Sequence, residues 1–128
     1  MKNKVLIIQA NYYKDISTAL LKSAKNELKN FAKINVISVP GVFEIPVVIS
    51  KNLKKYDGFV ALGCVIKGQT PHFDFISKST TDAIMNISVM SKKPVGNGII
   101  TCLNKNQAIA RGKKGREAAN AVKTILSL

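Results

Sequence analysis

The stretch Gly58-Phe59-Val60-Ala61-Leu62-Gly63-Cys64-Val65-Ile66, followed by Lys67-Gly68-Gln69-Thr70-Pro71-His72-Phe73-Asp74, decides how this chain folds. Its first part is nearly all apolar and reads as a strand. Lys67 to Pro71 reads as a turn, with Thr70 as N-cap and Pro71 as first residue of a helix. That helix runs to about Met90, with Ile76, Thr80, Ala83, Ile84 and Ile87 on its inner face. The same strand-then-helix unit recurs on both sides. Upstream, Lys4 to Gln9 contains the buried-strand pattern Val5-Leu6-Ile7-Ile8. Asp15 to Phe31 follows as a helix, with Ile16, Ala19, Leu20, Ala24, Leu28 and Phe31 near helical spacing. Ile34 to Val39 is a second strand, stopped by Pro40-Gly41, and Ile45 to Leu53 a helix with Pro46 in its first turn. Downstream come a strand from Pro94 to Cys102 and a short helix from Lys105 to Ala110. A last helix, from about Gly115 to Ser127, carries Ala118, Ala119, Val122, Ile125 and Leu126 as its apolar stripe.

Strands alternating with helices predict a parallel sheet covered on both faces. Right-handed crossovers then favour an α/β fold: a flavodoxin-like three-layer α/β/α sandwich with a four-stranded parallel sheet. Ligands in such folds bind outside the carboxyl ends of the strands.

The 128 residues suit one domain, 1–128. Hydrophobic residues make up 46%, which excludes a disordered chain. The apolar runs stay short of the ~20 residues that a membrane helix requires. The run after Lys4 is shorter than the roughly 7 to 15 residues of a signal-peptide core. A cytoplasmic protein without a membrane partner is therefore expected. Twenty basic residues against seven acidic ones give a net charge of +13. Only Arg111 and Arg116 are arginines, and the lysines are spread along the chain. A nucleic-acid binder usually gathers its cations on one stripe with interleaved aromatics, so no specific nucleic-acid partner is expected. The charge is either a solvated lysine-rich surface or a field that attracts small anionic substrates. Cys64 and Cys102 form no Cys-x-x-Cys and join no Cys/His cluster, so no metal site is expected and both read as small buried thiols.

Several residues at the strand ends suit chemistry. In Asn11-Tyr12-Tyr13 a tyrosine either stacks on a flat ring or covers the sheet end. Glu44, in Val39-Pro40-Gly41-Val42-Phe43-Glu44-Ile45-Pro46, either caps a helix or accepts hydrogen bonds from a polyhydroxy substrate. Thr70, Pro71 and Lys67 together suit a phosphate at a helix start. His72, the single histidine, is placed there for acid–base work or is a partly exposed residue of a first helical turn. Arg111-Gly112-Lys113-Lys114-Gly115-Arg116 is a compact basic loop that is either a solvated face or a phosphate grip.

Val39 to Pro46 and Leu62 to Asp74 resemble the two signature stretches of the 6,7-dimethyl-8-ribityllumazine synthase family. Pro94 to Thr101, Gln107 to Arg111 and Lys114 to Ala119 are similar to further family segments, so the resemblance covers nearly the whole chain in order. It implies condensation of 5-amino-6-ribitylaminouracil with 3,4-dihydroxy-2-butanone 4-phosphate to the lumazine, phosphate and water, in riboflavin biosynthesis. It implies no metal or organic cofactor. It also implies a homopentamer whose active sites are shared between neighbouring subunits. Carried onto this chain, Tyr12 would stack on the pyrimidine, and Val42, Phe43 and Glu44 would hold the ribityl chain. Cys64, Val65 and Ile66 would line the pyrimidine site. Gln69 and Thr70 would bind the substrate phosphate, and His72 would transfer protons. Asn97 and Arg111 would enter from the neighbouring subunit, Arg111 as phosphate clamp, with Lys114 near the same site. The chain departs from the family at Asn11, where many members have Arg, and at Asn97, where some have an aromatic. Its 111–114 loop is several residues shorter than usual. Because the chain opens directly on the first strand, a free pentamer is expected over a larger shell. Two other functions share the features read here: an archaeal-type riboflavin synthase, and a basic module that binds flavin or nucleic acid.

Overall fold

The computed structural model of the chain describes residues 2–68 and 71–128. Strands β1 (Asn3–Ala10), β2 (Ala32–Val39), β3 (Gly58–Ile66) and β4 (Val95–Cys102) form one sheet in the order β2-β1-β3-β4. Every neighbouring pair is parallel. The connecting helices are α1 (Lys14–Leu28), α2 (Ile45–Lys51), α3 (His72–Ser91), α4 (Lys105–Ala110) and α5 (Lys114–Leu126). This is the flavodoxin-like three-layer sandwich that the alternation predicts. No helix among the described residues is long and apolar enough to cross a membrane.

The central strands β1 and β3 are apolar on both faces because helices cover both. Val5 and Ile7 of β1, and Val60, Leu62 and Cys64 of β3, point into one core with Ile16, Leu20, Ala24 and Leu28 of α1 and Ala118, Ala119 and Val122 of α5. Leu6 and Ile8, with Phe59 and Ala61, point into the other core, where Ile45 and Ile49 of α2 and Ile84 of α3 cover them. At roughly 25 cal/mol per Å² of apolar surface, these two layers supply the main stabilising term of the fold.

The differences from the expected elements have local causes. Helix α1 stops at Leu28, and the amide of Phe31 turns back to the Leu28 carbonyl at 2.9 Å. Ala19 is exposed, because α1 meets the sheet through the four-residue ladder Ile16, Leu20, Ala24, Leu28 and residue 19 falls on its flank. Helix α2 ends at Lys51, where the Asn52 amide folds onto the Ile49 carbonyl. On α3 only Thr80 and Ile84 are fully buried, while Ile76, Ala83 and Ile87 are half-buried. Ile125 is exposed in the last turn of α5, and Leu126 packs against the core instead.

Candidate functional site

Three strand-to-helix connections meet at the carboxyl end of the sheet, and each is pinned to a strand. The Asn11 amide donates to the Val39 carbonyl at 3.0 Å, which ties the first connection to the end of β2. The Ser17 hydroxyl donates to the Ala10 carbonyl at 2.6 Å, which fixes α1 against the end of β1. In the second connection Val42–Glu44 forms a single 3-10 turn ahead of α2. Val42 lies so close to β3 that a β-carbon at Gly63 would meet its Cγ1 at 2.5 Å, so only glycine permits this seat. In the third, the Lys67 amide donates to the Cys102 carbonyl at 2.8 Å and prolongs the β3–β4 pairing past Ile66. Helix α3 begins at His72, with Pro71 flanking it rather than opening it.

Between these connections lies a pocket of about 620 Å³. Tyr12 and Tyr13 form one wall, Gly41, Val42, Phe43 and Glu44 a second, and Cys64, Val65 and Ile66 the floor, with His72 and Ile76 closing it from α3. Tyr12 is 76% exposed and Phe43 61% exposed, so two aromatic rings stand open to a ligand. The Tyr12 and Tyr13 rings meet edge to face at 4.9 Å, which holds Tyr12 upright. Burial, with Tyr12 and Cys64 beside it, raises the Tyr13 phenol above its ordinary value, so it stays a neutral donor. Burial and the neighbouring Cys102 push the Cys64 thiol up to about 12. It is therefore an apolar wall and not a nucleophile. Glu44 sits at the N-cap position of α2 without a side-chain cap hydrogen bond, and its carboxylate lies against Gly41 at the pocket wall.

Arg111 is not in this pocket. Its guanidinium donates to the Thr101 carbonyl at 3.1 Å and passes Cys102 Sγ at 3.9 Å, on the β4 side of the molecule. With Thr101, Lys113, Lys114 and Glu117 it lines a separate cavity of about 480 Å³. The basic stretch is only partly a loop. Lys114, Gly115 and Arg116 belong to α5, which leaves Arg111-Gly112-Lys113 between the helices. Asn97 is exposed on β4 and joins neither cavity; its Oδ1 accepts from the Ile99 amide at 3.0 Å. A larger groove of about 1020 Å³ lies between α1 and the α4–α5 turn, lined by Ala19, Leu21, Ile34 and Ile109. Of the basic stretch it holds Gly112 and Lys113, and it holds none of the residues that the family resemblance brings to the site.

A sequence model of the 6,7-dimethyl-8-ribityllumazine synthase family matches residues 2–128. The chain belongs to this family. A 6,7-dimethyl-8-ribityllumazine synthase of Agrobacterium fabrum is 43% identical over 140 aligned residues, covering 99% of this chain and 95% of the relative. Relatives of the same name include one from Bartonella tribocorum, 43% identical over 99% of this chain and 90% of its own length. A 6,7-dimethyl-8-ribityllumazine synthase 1 of Rhodopseudomonas palustris is 42% identical over 98% of this chain and 85% of its own length.

Of the residues expected to act, Tyr12, Val42, Phe43, Glu44, Cys64, Val65, Ile66 and His72 thus share one pocket, and Arg111 and Lys114 share another. Gln69 and Thr70 lie outside the described residues. Tyr13, one of the two tyrosines read as able to stack on a ring, also lines the first pocket, as do Gly41 and Ile76. Ile76 follows His72 by four residues, one helical turn, so its position was recoverable from spacing. Gly41 gave a weaker signal, as a chain neighbour of expected residues. Thr101 and Glu117 in the second cavity carried none, because their exposure depends on how α4 and α5 lie beside β4.

Proposed function

We propose that this chain condenses 5-amino-6-ribitylaminouracil with 3,4-dihydroxy-2-butanone 4-phosphate, giving 6,7-dimethyl-8-ribityllumazine, inorganic phosphate and water. Residues 1–128 act as one domain, in the cytoplasm, as a step of riboflavin biosynthesis. The observation that carries this reading is the 620 Å³ pocket in which an exposed aromatic wall, a carboxylate and an imidazole converge at the strand ends. Beyond it stands the membership of the family.

In this reading Tyr12 stacks on the pyrimidine, over the floor made by Cys64, Val65 and Ile66. Glu44 accepts hydrogen bonds from the ribityl hydroxyls, with Val42 and Phe43 beside it. Gln69, Thr70 and Arg111 hold the phosphate of the four-carbon substrate. The amine of the pyrimidine attacks the ketone and the adduct loses water to form an imine. Phosphate then leaves, the enol rearranges, and ring closure expels a second water. Amine–ketone condensation is feasible without a strong catalyst, so orientation supplies much of the acceleration. Arg111 stabilises the departing phosphate, and His72 moves protons between the steps.

Arg111, Lys114 and Asn97 belong to the far side of the same reading. In one chain they lie apart from the Tyr12–His72 pocket. A complete site therefore needs the β4 side of a second copy, in a homopentamer with shared sites. The exposed apolar side chains Phe75, Met85, Val89 and Met90 of α3, and Val47 of α2, support such association. The test is to mix the two substrates with purified protein and follow lumazine fluorescence together with released phosphate. Equal molar appearance of both is expected. Turnover of lumazine supplied alone would instead indicate a riboflavin synthase.

A further inference from the structure

The amino ends of the strands, about 20 Å from the site by strand rise, carry a different feature. Lys4 of β1 and Lys33 of β2 are register partners, so their side chains leave the same face side by side. Like charges placed directly opposite one another destabilise a sheet. The segment after α2 adds Lys54 and Lys55. With Asn35 and Tyr56, these four lysines line a cavity of about 370 Å³ that has no carboxylate in its wall.

No described carboxylate forms an ion pair with these four lysines, although the Asp57 carboxylate stands beside Lys4 and offsets part of their charge. The ion pairs among the described residues join Lys78 to Asp82, and Arg116 and Lys123 to Glu27. Asp57 is the carboxylate nearest in sequence, and its side chain accepts from the Lys4 backbone amide at 2.7 Å. The loop carbonyls of Leu53 and Tyr56 are also occupied: both accept from Lys93 Nζ, which braces the loop from behind. The Tyr56 hydroxyl accepts from Asn35 Nδ2 at 2.7 Å, so its own proton is available to donate.

We propose that this cavity binds a diphosphate group, either free or carried on a nucleotide. One phosphate monoester brings about −1.5 to −2 charges and would leave much of the cluster uncompensated. Two linked phosphoryl groups match it more closely, and each ammonium offers three donors to their oxygens.

The test is calorimetric titration with inorganic pyrophosphate at ~0.05 M salt, where exposed charges are weakly screened. It is run on protein carrying Arg111→Ala, so that phosphate binding by that guanidinium does not contribute. Saturable binding is expected, one ligand per chain. Adding Lys33→Gln and Lys54→Gln should weaken it about tenfold or more, as expected for lost charge-assisted contacts. Lys22→Gln with Lys25→Gln removes equal charge from α1 and should leave affinity unchanged. Equal weakening by both pairs would reduce the effect to the general field of a basic protein and overturn the proposal. Absence of saturable binding, or orthophosphate binding as tightly as pyrophosphate, would also overturn it. ADP as tight as pyrophosphate would point to a nucleotide as the source, and weaker ADP to the free anion. On the Arg111→Ala background pyrophosphate should also raise the melting temperature, and should raise it less once Lys33→Gln and Lys54→Gln are added.

Discussion

A β-carbon at Gly115 would lie 2.1 Å from the carbonyl oxygen of Leu20, so α5 and α1 touch backbone to backbone at that point. The Ser23 hydroxyl beside them bridges the carbonyls of Leu20 and Gly112, at 3.1 and 3.0 Å. Gly115→Ala must therefore push the two helices apart. A loss of about 1–3 kcal/mol or more is expected, read as a lower denaturant midpoint. An unchanged midpoint would show that the helices can separate without cost.

Glu27 joins the same two helices further along, 2.9 Å from Lys123 and 3.3 Å from Arg116. The Lys123 hydrogen bond, with the two cations, holds its carboxyl below the ordinary 4.5. Its folded-state value is the lower one, so its stabilising contribution is complete above the ordinary range. It is lost as pH falls through the depressed value. Glu27→Gln should lower the melting temperature at pH 7 and flatten its fall below pH ~4.5. Parallel melting curves for both proteins across that range would contradict this.

Tyr12 presents its ring to solvent and buries little of it, so its removal should spare the fold. Tyr12→Ala is expected to raise the KM of the pyrimidine substrate about three- to tenfold, the usual worth of an aromatic stack. Tyr12→Phe should keep it near the original value. If both variants lose the same amount, the hydroxyl and not the ring is what the substrate meets.

His72→Ala should slow turnover by ~10²- to 10⁴-fold, the usual contribution of a positioned proton donor, while measurable activity survives. Steady-state lumazine formation checks it, and undiminished turnover would remove His72 from the proton-transfer role.

Arg111→Ala should raise the KM of the phosphorylated substrate well above that of the pyrimidine. The guanidinium already donates to Thr101, so part of its positioning is intrinsic to the chain. Equal changes in both constants would argue against a phosphate clamp.

Where a face is buried on both sides, as along Val5–Ile8 and Phe59–Leu62, composition alone reveals the strand and its place in a parallel sheet. The inner faces of α1 and α5 were less legible, because Ala19 and Ile125 match the apolar period yet are exposed. The 3-10 turn at Val42–Glu44 has no periodic signal at all; it follows from the contact between Val42 and Gly63. The start of α4 at Lys105 is where the sequence places it, and the reason is local. Asn104 accepts from the Gln107 amide at 3.0 Å, and Gln107 Oε1 accepts from the Leu103 amide at 2.8 Å. That reciprocal cap has a recognisable four-residue spacing. The site shows the same division. Residues on the three connections were legible as neighbours because the topology brings strand ends together. The separation of Arg111 from His72 depends on the breadth of the sheet, which no local pattern encodes.

Strand β4 closes one margin of the sheet, and there Asn97 turns its side-chain oxygen onto the amide of Ile99. A donor that a foreign strand would need is thereby answered within the molecule. One rung of that border is thus closed to a templated ribbon, which disfavours fibre growth there.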